Sequence, residues 1–376
     1  MIIDVHCHYT LTRHVAHDAE RFSFEPRATP PGDHDRHGGP ALPTDYDSCV
    51  SPRALNRLAW RVMRHVMGVT GEPGPQLDEQ IAGGYAEHLL APGPIDRYVL
   101  LAFDAYHDDA GRRPPLPIRD SDLGSDIYTS NTLIRDLCRR RPSKFLLGAS
   151  IHPYRENAVA CIDEVFAAGA CLVKWLPLHQ NINIRDSRTL AVLRRCAELH
   201  LPLLVHYSEE FTLTTQHREH QPVEPLLDVL RRLRREGRMP PVIVAHVATP
   251  ALPFGETASH EALLDALQNE FAEAPLYADI SALAVWSKHR FLRRLARMQH
   301  LHHKLVFGTD FPVPPWTAAL RRDLGRSYAA VKSEKSWAQR TALAMRGMGF
   351  NEIVFQQAPR ILANVRNHGI ASRQIV

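Results

Sequence analysis

Residues 1–8 read MIIDVHCH. A short apolar run, residues 2–6, ends in His6, and His8 follows two residues later. Seven more runs of the same kind follow, at residues 98–103, 145–151, 171–176, 203–206, 242–246, 276–280 and 304–307. Near-continuous Val, Ile and Leu of this kind is expected of parallel strands covered on both faces. Helical candidates lie between them at 132–141, 156–168, 188–200 and 260–271, and Ser130-Asn131, Ser187 and Ser259 supply start signals for three of these. Eight strands alternating with helices predict an α/β fold. An open doubly wound sheet could use the same elements, but GxGxxG is missing after the first strand, so a closed (β/α)8 TIM barrel is the expectation.

The chain reads as one barrel domain, 1–376, carrying an insertion at 9–97. The opening of that insertion, residues 20–47, is rich in Pro, Gly, Asp and His and is expected to lack regular structure. Ser51-Pro52 then introduces Leu55, Leu58, Ala59, Val62, Met63 and Val66 at helical spacing. This segment could roof the barrel mouth, because loops that follow strands project there; a packing insertion without a role in substrate choice is the plainer alternative. Residues 316–364 read as a helical tail, whose last segment is expected to complete the outer helix ring.

Apolar residues make up 44% and charged residues 23% of 376, the proportions of a packed globular enzyme. No secretory leader or membrane span is legible, so a soluble cytoplasmic protein is expected. Six scattered cysteines without a CxxC pair read as reduced core thiols. A net charge of +4 is small, and the basic runs 139–141 and 231–238 fall on predicted helices without aromatic interleaving, which argues for solvated faces rather than nucleic-acid binding. The expected partner is a small-molecule substrate, with neither nucleic acid nor membrane; a homo-oligomer is compatible with the sequence.

On an extended chain, His6 and His8 point to the same side, with Cα atoms about 7 Å apart, so two imidazoles can converge on one cation. Cys7 must point the other way, into packing between strand and helix. Alone this pattern is weak, but His206 and His246 end two other predicted strands and Asp310 follows the last. In a parallel barrel those ends share one face. Imidazoles and a carboxylate suit zinc or a similar transition metal, and leave a position open for water.

The set His6-x-His8, Lys174 in CLVKWLP, His206, His246 and Gly308-Thr309-Asp310-Phe311-Pro312 resembles the motif order of the amidohydrolase superfamily. The nearest-looking branch is amidohydrolase-2, which includes aminocarboxymuconate-semialdehyde decarboxylase and its relatives. The resemblance covers residues 1–8 and about 98–365, not the insertion. It implies that His6, His8, His206 and Asp310 hold one divalent ion, most simply Zn2+, with His246 beside it as an acid/base. In the two-metal alternative, a carboxylated Lys174 bridges the ions and His206 and His246 complete the second site.

The implied activity is metal-dependent hydrolysis of a C–N or C–O bond in an amide, cyclic amide or lactone, with Asp310 and His246 as the catalytic residues. A bound divalent ion lowers the pKa of water to near 7, and Asp310 can take the proton released. Nonoxidative decarboxylation or hydration of a small carboxylic acid is the alternative within enzymes. A barrel that binds a metal or ligand without turnover is the alternative of another class. Asp104, His152, His179, Glu209 and Glu210 are weaker candidates for which loop or capping roles are expected, and Arg185 reads as an exposed ion pair. His300, His302 and His303 precede the last strand and belong on the opposite face.

Overall fold

The structure, a computed structural model, describes residues 1–16, 19–25, 46–114, 116 and 123–365. Its main sheet has eight parallel strands in sequential order: β1 (Ile3–His8), β2 (Arg97–Leu101), β3 (Phe145–Ala149), β4 (Leu172–Trp175), β5 (Leu203–Val205), β6 (Val242–Val244), β7 (Leu276–Asp279) and β8 (Leu305–Val306). Each falls on one of the eight expected apolar runs. The sheet curls until its ends meet: Val5 N donates to Phe307 O at 3.2 Å, His8 N to Phe311 O at 2.7 Å, and Asp310 N to His6 O at 2.8 Å. The fold is therefore the expected TIM barrel.

Alternate strand residues divide between two apolar layers, as a period of two requires. Ile3, Val5, Val99, Leu101, Leu146, Leu172, Leu204, Ile243 and Val306 pack together inside the barrel. Tyr98, Leu100, Leu147, Val173, Trp175, Leu203 and Val205 face outward, against Ile134, Ile162, Leu193 and Leu230 of the surrounding helices. Those helices run Asn131–Arg140, Ala158–Ala167, Ser187–Glu198, Glu224–Arg235 and Ala258–Gln268. Ser130 caps the first by accepting from Leu133 N at 3.0 Å. Asp186, one residue before the expected Ser187, caps the third, and Ser259 lies inside the fifth rather than ahead of it.

Within the insertion, residues 20–25 and 46–47 carry no helix or strand, and 26–45 lie outside the described residues. Ser48–Val50 pairs antiparallel with Arg13–His14 and with Ile127–Thr129, forming a small sheet. Thr129 also bridges Phe103, just past β2, which places that sheet at the carboxyl end of the barrel. The amphipathic stretch forms a helical turn at Pro52–Leu55, capped by Ser51, and a helix at Leu58–Met67.

The tail is helical in short pieces, but its end does not join the outer ring. Ala358, Ile361, Leu362 and Val365 close the amino end of the barrel from beneath, packed with Ile3, Val5 and Val306. Ala363 N donates to Cys171 O at 3.0 Å, at the start of β4. Helical periodicity identified the apolar face but could not distinguish a barrel floor from a ring position. All six cysteines are free, and no helix among the described residues is long and apolar enough to cross a membrane.

Candidate active site

With Ile3 and Val5 pointing into the barrel, strict alternation would put Cys7 inside and His6 and His8 outside. A bulge reverses this. Asp4 pairs with Tyr98 and Cys7 with Leu100, three steps on β1 against two on β2. A bulge inserts one residue and shifts the side-chain phase beyond it. Cys7 then packs in the outer layer while His6 and His8 turn inward. Asp4 pins the distortion: its carboxylate accepts from His6 N at 3.0 Å, Thr309 N at 2.9 Å and Thr309 Oγ1 at 2.5 Å. The same aspartate thus ties β1 to the turn that carries Asp310.

Three donors converge. His6 Nε2 and His8 Nε2 lie 3.2 Å apart, and Asp310 Oδ1 is 3.4 and 3.3 Å from them. Gly308 makes this approach possible, since a Cβ there would stand 3.0 Å from His6 Cβ and 3.1 Å from Ser281 Cβ. Asp310 and His246 both hold left-handed backbone, φ 62° and 53°, as does β-branched Val247 at 51°. Such conformations are costly for these residues and cluster where side chains must be aimed.

Asp279, at the end of β7, organises the imidazoles. Its Oδ2 accepts from His6 Nδ1 at 2.8 Å, which leaves the His6 Nε2 lone pair facing the other donors. Its Oδ1 accepts from His246 N at 2.9 Å and Ser281 N at 3.0 Å. Ser281 Oγ in turn lies 2.8 Å from His246 Nδ1, so His246 presents Nε2, 3.9 Å from Asp310 Oδ2. The His6 and His246 rings stack at 5.0 Å, and His206 meets His246 edge-on at 5.1 Å. His206 Nε2 points to Glu209 O at 3.4 Å and Glu210 Oε2 at 3.7 Å, beside the three converging donors rather than among them.

Burial keeps the His6, His206 and His246 imidazoles neutral. It pushes His6 and His246 well below the ordinary histidine value, aided at His6 by Lys174 and at His246 by Lys288. It lowers His206 to about 4, against the pull of Glu210. Neutral imidazole is the metal-binding form. Burial raises the Asp310 carboxyl while His8 opposes the rise. Lys174 Nζ donates to His6 Nε2 at 3.2 Å, and burial brings the amine down to about 8 against Asp279, Asp310 and Glu210. Two imidazole nitrogens and a carboxylate oxygen, facing one another, fit a divalent ion of the zinc type.

These groups floor a cavity of about 840 Å³. Leu58, Trp60 and Met63 of the insertion helix line one side, and Phe211, Trp286 and Trp316 contribute from loops after β5, β7 and β8. Glu209 and Glu210 also reach it. The other weaker candidates are structural. Asp104 pairs with buried Arg155 at 2.7 Å, His152 bonds Gln180 O, and His179 bonds Asp126 N and Thr214 O. Arg185 forms the exposed pair with Asp228 at 2.7 Å, and His302 bonds Leu295 O, away from the cavity. Asp279, Ser281 and Lys288 escaped the sequence reading. Asp279 ends a predicted strand, the criterion that found the histidines; Lys288, in WSKHR, carries no such signal.

The sequence model of the amidohydrolase family, Amidohydro_2, matches residues 3–327. No protein of curated function matches the sequence significantly. Among solved structures, an uncharacterised TIM-barrel protein from Bordetella bronchiseptica is 16% identical, with a TM-score of 0.49 over 96% of this chain and 99% of that one. A probable 2-pyrone-4,6-dicarboxylic acid hydrolase from Acinetobacter baumannii is 12% identical, with a TM-score of 0.49 over 96% and 98%. A 5-carboxyvanillate decarboxylase from Sphingomonas paucimobilis is 11% identical, with a TM-score of 0.42 over 94% and 98%.

Proposed function

The chain belongs to the amidohydrolase family, and from that premise we propose that it hydrolyses a C–N or C–O bond of a small amide, cyclic amide or lactone. The reaction centre would be one divalent ion, Zn2+ in the simplest case, held by His6, His8 and Asp310, with His206 joining them once its Nε2 turns from Glu209 and Glu210. The observation that carries this reading is the convergence of His6 Nε2, His8 Nε2 and Asp310 Oδ1 at the floor of a largely apolar cavity. When bound, the ion polarises a carbonyl and makes water acidic enough to act as a nucleophile near pH 7.

The chain supplies the proton handling. Asp310 uses Oδ1 toward the histidines and keeps Oδ2 toward His246, so Oδ2 can take the proton from the attacking water and pass it to the leaving group. The burial that raises the Asp310 carboxyl makes it a better base than a solvated aspartate. His246, fixed by Ser281 through Nδ1, turns the lone pair of Nε2 toward the cavity, where it can accept a proton and hand it to a departing atom. Decarboxylation would use the same groups: the proton that Asp310 takes from water would pass to the unprotonated His246 Nε2, 3.9 Å from Asp310 Oδ2, and from there to carbon as CO2 leaves.

A panel of lactones, cyclic amides and small carboxylic acids in H2(18)O tests this. Hydrolysis places one 18O atom in the product, whereas decarboxylation releases CO2 and leaves the product unlabelled. Turnover should vanish on chelation and return with about one equivalent of Zn2+. Asp310→Asn should lower kcat by about 10²–10⁴-fold. Full activity in chelated protein would overturn the proposal, and two ions per chain with added mass on Lys174 would replace the single-ion centre by the bridged one.

A further inference from the structure

Besides Lys174, the described residues include two buried lysines near the ends of the barrel whose surroundings differ sharply. Lys304, at the amino end of β8, donates to Phe271 O at 2.9 Å, Ala272 O at 3.0 Å and Ala274 O at 2.7 Å, and is satisfied as a structural residue. Lys288 lies at the opposite, carboxyl end, on the turn Trp286–Lys288 that follows β7. It is only 7% exposed and lines the cavity. Among the described residues, no carboxylate oxygen lies within 4.0 Å of its Nζ, and its side chain makes no hydrogen bond. Asp310, Glu210, Asp279 and Glu209 act on its charge through space without pairing with it. A cation on the wall of a largely apolar cavity, with no hydrogen-bonded partner of its own, offers an entering anion a direct contact.

The walls above Lys288 supply a second feature. Leu58, Val62, Phe211, Leu252, Trp286 and Trp316 all line the cavity and are between 42% and 65% exposed. Singly exposed apolar residues need no explanation; six that ring one cavity mouth form a contiguous apolar surface. The cavity therefore pairs a buried cation in its depth with an apolar rim.

We infer that Lys288 is the specificity-determining residue of this site, binding the carboxylate of an amphipathic acid whose apolar body extends from the floor to the ring of exposed side chains at the mouth. The assignment rests on the metal-centred reading of the same cavity, because it is the orientation of a substrate toward His6, His8 and Asp310 that the Lys288 contact would set. An ammonium donates from a point charge with three hydrogens, so it selects charge without demanding planar geometry. The rim then selects length, since each methylene buried there adds up to about fourfold in affinity.

Binding of butanoate, octanoate and octanamide, measured by calorimetry on the full chain with its ion and again after chelation, tests this. Octanoate should bind at least tenfold tighter than either other probe. Lys288→Met should abolish the preference of octanoate over octanamide while leaving metal content unchanged, and Lys288→Gln should repeat that result with a side chain that keeps some polarity. Octanoate that binds no tighter than octanamide, or no tighter than butanoate, would overturn the inference. So would a preference that survives in Lys288→Met but disappears on chelation, which would assign the carboxylate to the ion. Failure of the metal-centred reading shows separately, as protein that takes up no ion whatever the fate of the octanoate preference.

Discussion

At the scale of single residues, Asp279 and Gly308 govern whether His6 can serve as a ligand. Asp279 fixes the tautomer of His6 by accepting from Nδ1, and outer partners of this kind typically contribute 10–100-fold to metal affinity. Asp279→Asn should therefore weaken Zn2+ binding by about that factor in a calorimetric titration, with the fold preserved in circular dichroism. Gly308→Ala drives a methyl toward His6 and Ser281 at 3.0–3.1 Å. It should cost about 1–3 kcal/mol in denaturant unfolding, the usual penalty of overpacking, and reduce bound metal. His206 should titrate near 4 in metal-free protein when followed by its imidazole NMR resonances, rather than near the model-peptide value of about 6.5.

At the scale of elements, the Leu58–Met67 helix lines one side of the cavity and meets the loop after β5. Trp60 Nε1 donates to Thr212 O at 3.0 Å and Arg57 Nε to Phe211 O at 3.2 Å, so two bonds clasp the insertion to that loop. Trp60→Ala removes one clasp and part of the wall. KM should rise severalfold with metal content unchanged and kcat much less affected, as expected when a change acts on binding common to ground and transition states. An unchanged KM would return the insertion to a packing role. The basic helix faces play no part in this: Arg231 and Arg232 are engaged with Asp228, Glu270 and Glu236 on the solvent side.

At the scale of the molecule, the floor formed by the tail links stability to the site. Ile361 sits among the inner strand residues directly below the layer that carries His6, and Ile361→Ala should cost about 2–5 kcal/mol of unfolding free energy. Acid acts globally too. His206 holds a folded value of about 4 against about 6.5 when unfolded, so the unfolded chain takes up a proton first as pH falls. The stabilisation tied to neutral His206 is complete above about 6.5 and is lost as pH falls through about 4. In metal-free protein the melting temperature should decline across that window, and His206→Gln should flatten the decline.

The sequence by itself determined the barrel and the face on which its candidate site is sought. Eight apolar runs could be read because strands buried on both faces need apolar residues at nearly every position, and parallel order then gathers their carboxyl ends on one face. His6, His8, His206, His246 and Asp310 were legible for that reason alone. The tertiary structure decided what that face does with them. The phase of β1 depends on a bulge pinned by Asp4 and Thr309, residues 305 positions apart in the chain. The support of His6 by Asp279 spans 273 positions, and the isolation of Lys288 is a property of what does not reach it across the cavity. Local periodicity records which residues are buried; it holds no record of which distant group each one meets, and the chemistry of this site resides in those meetings.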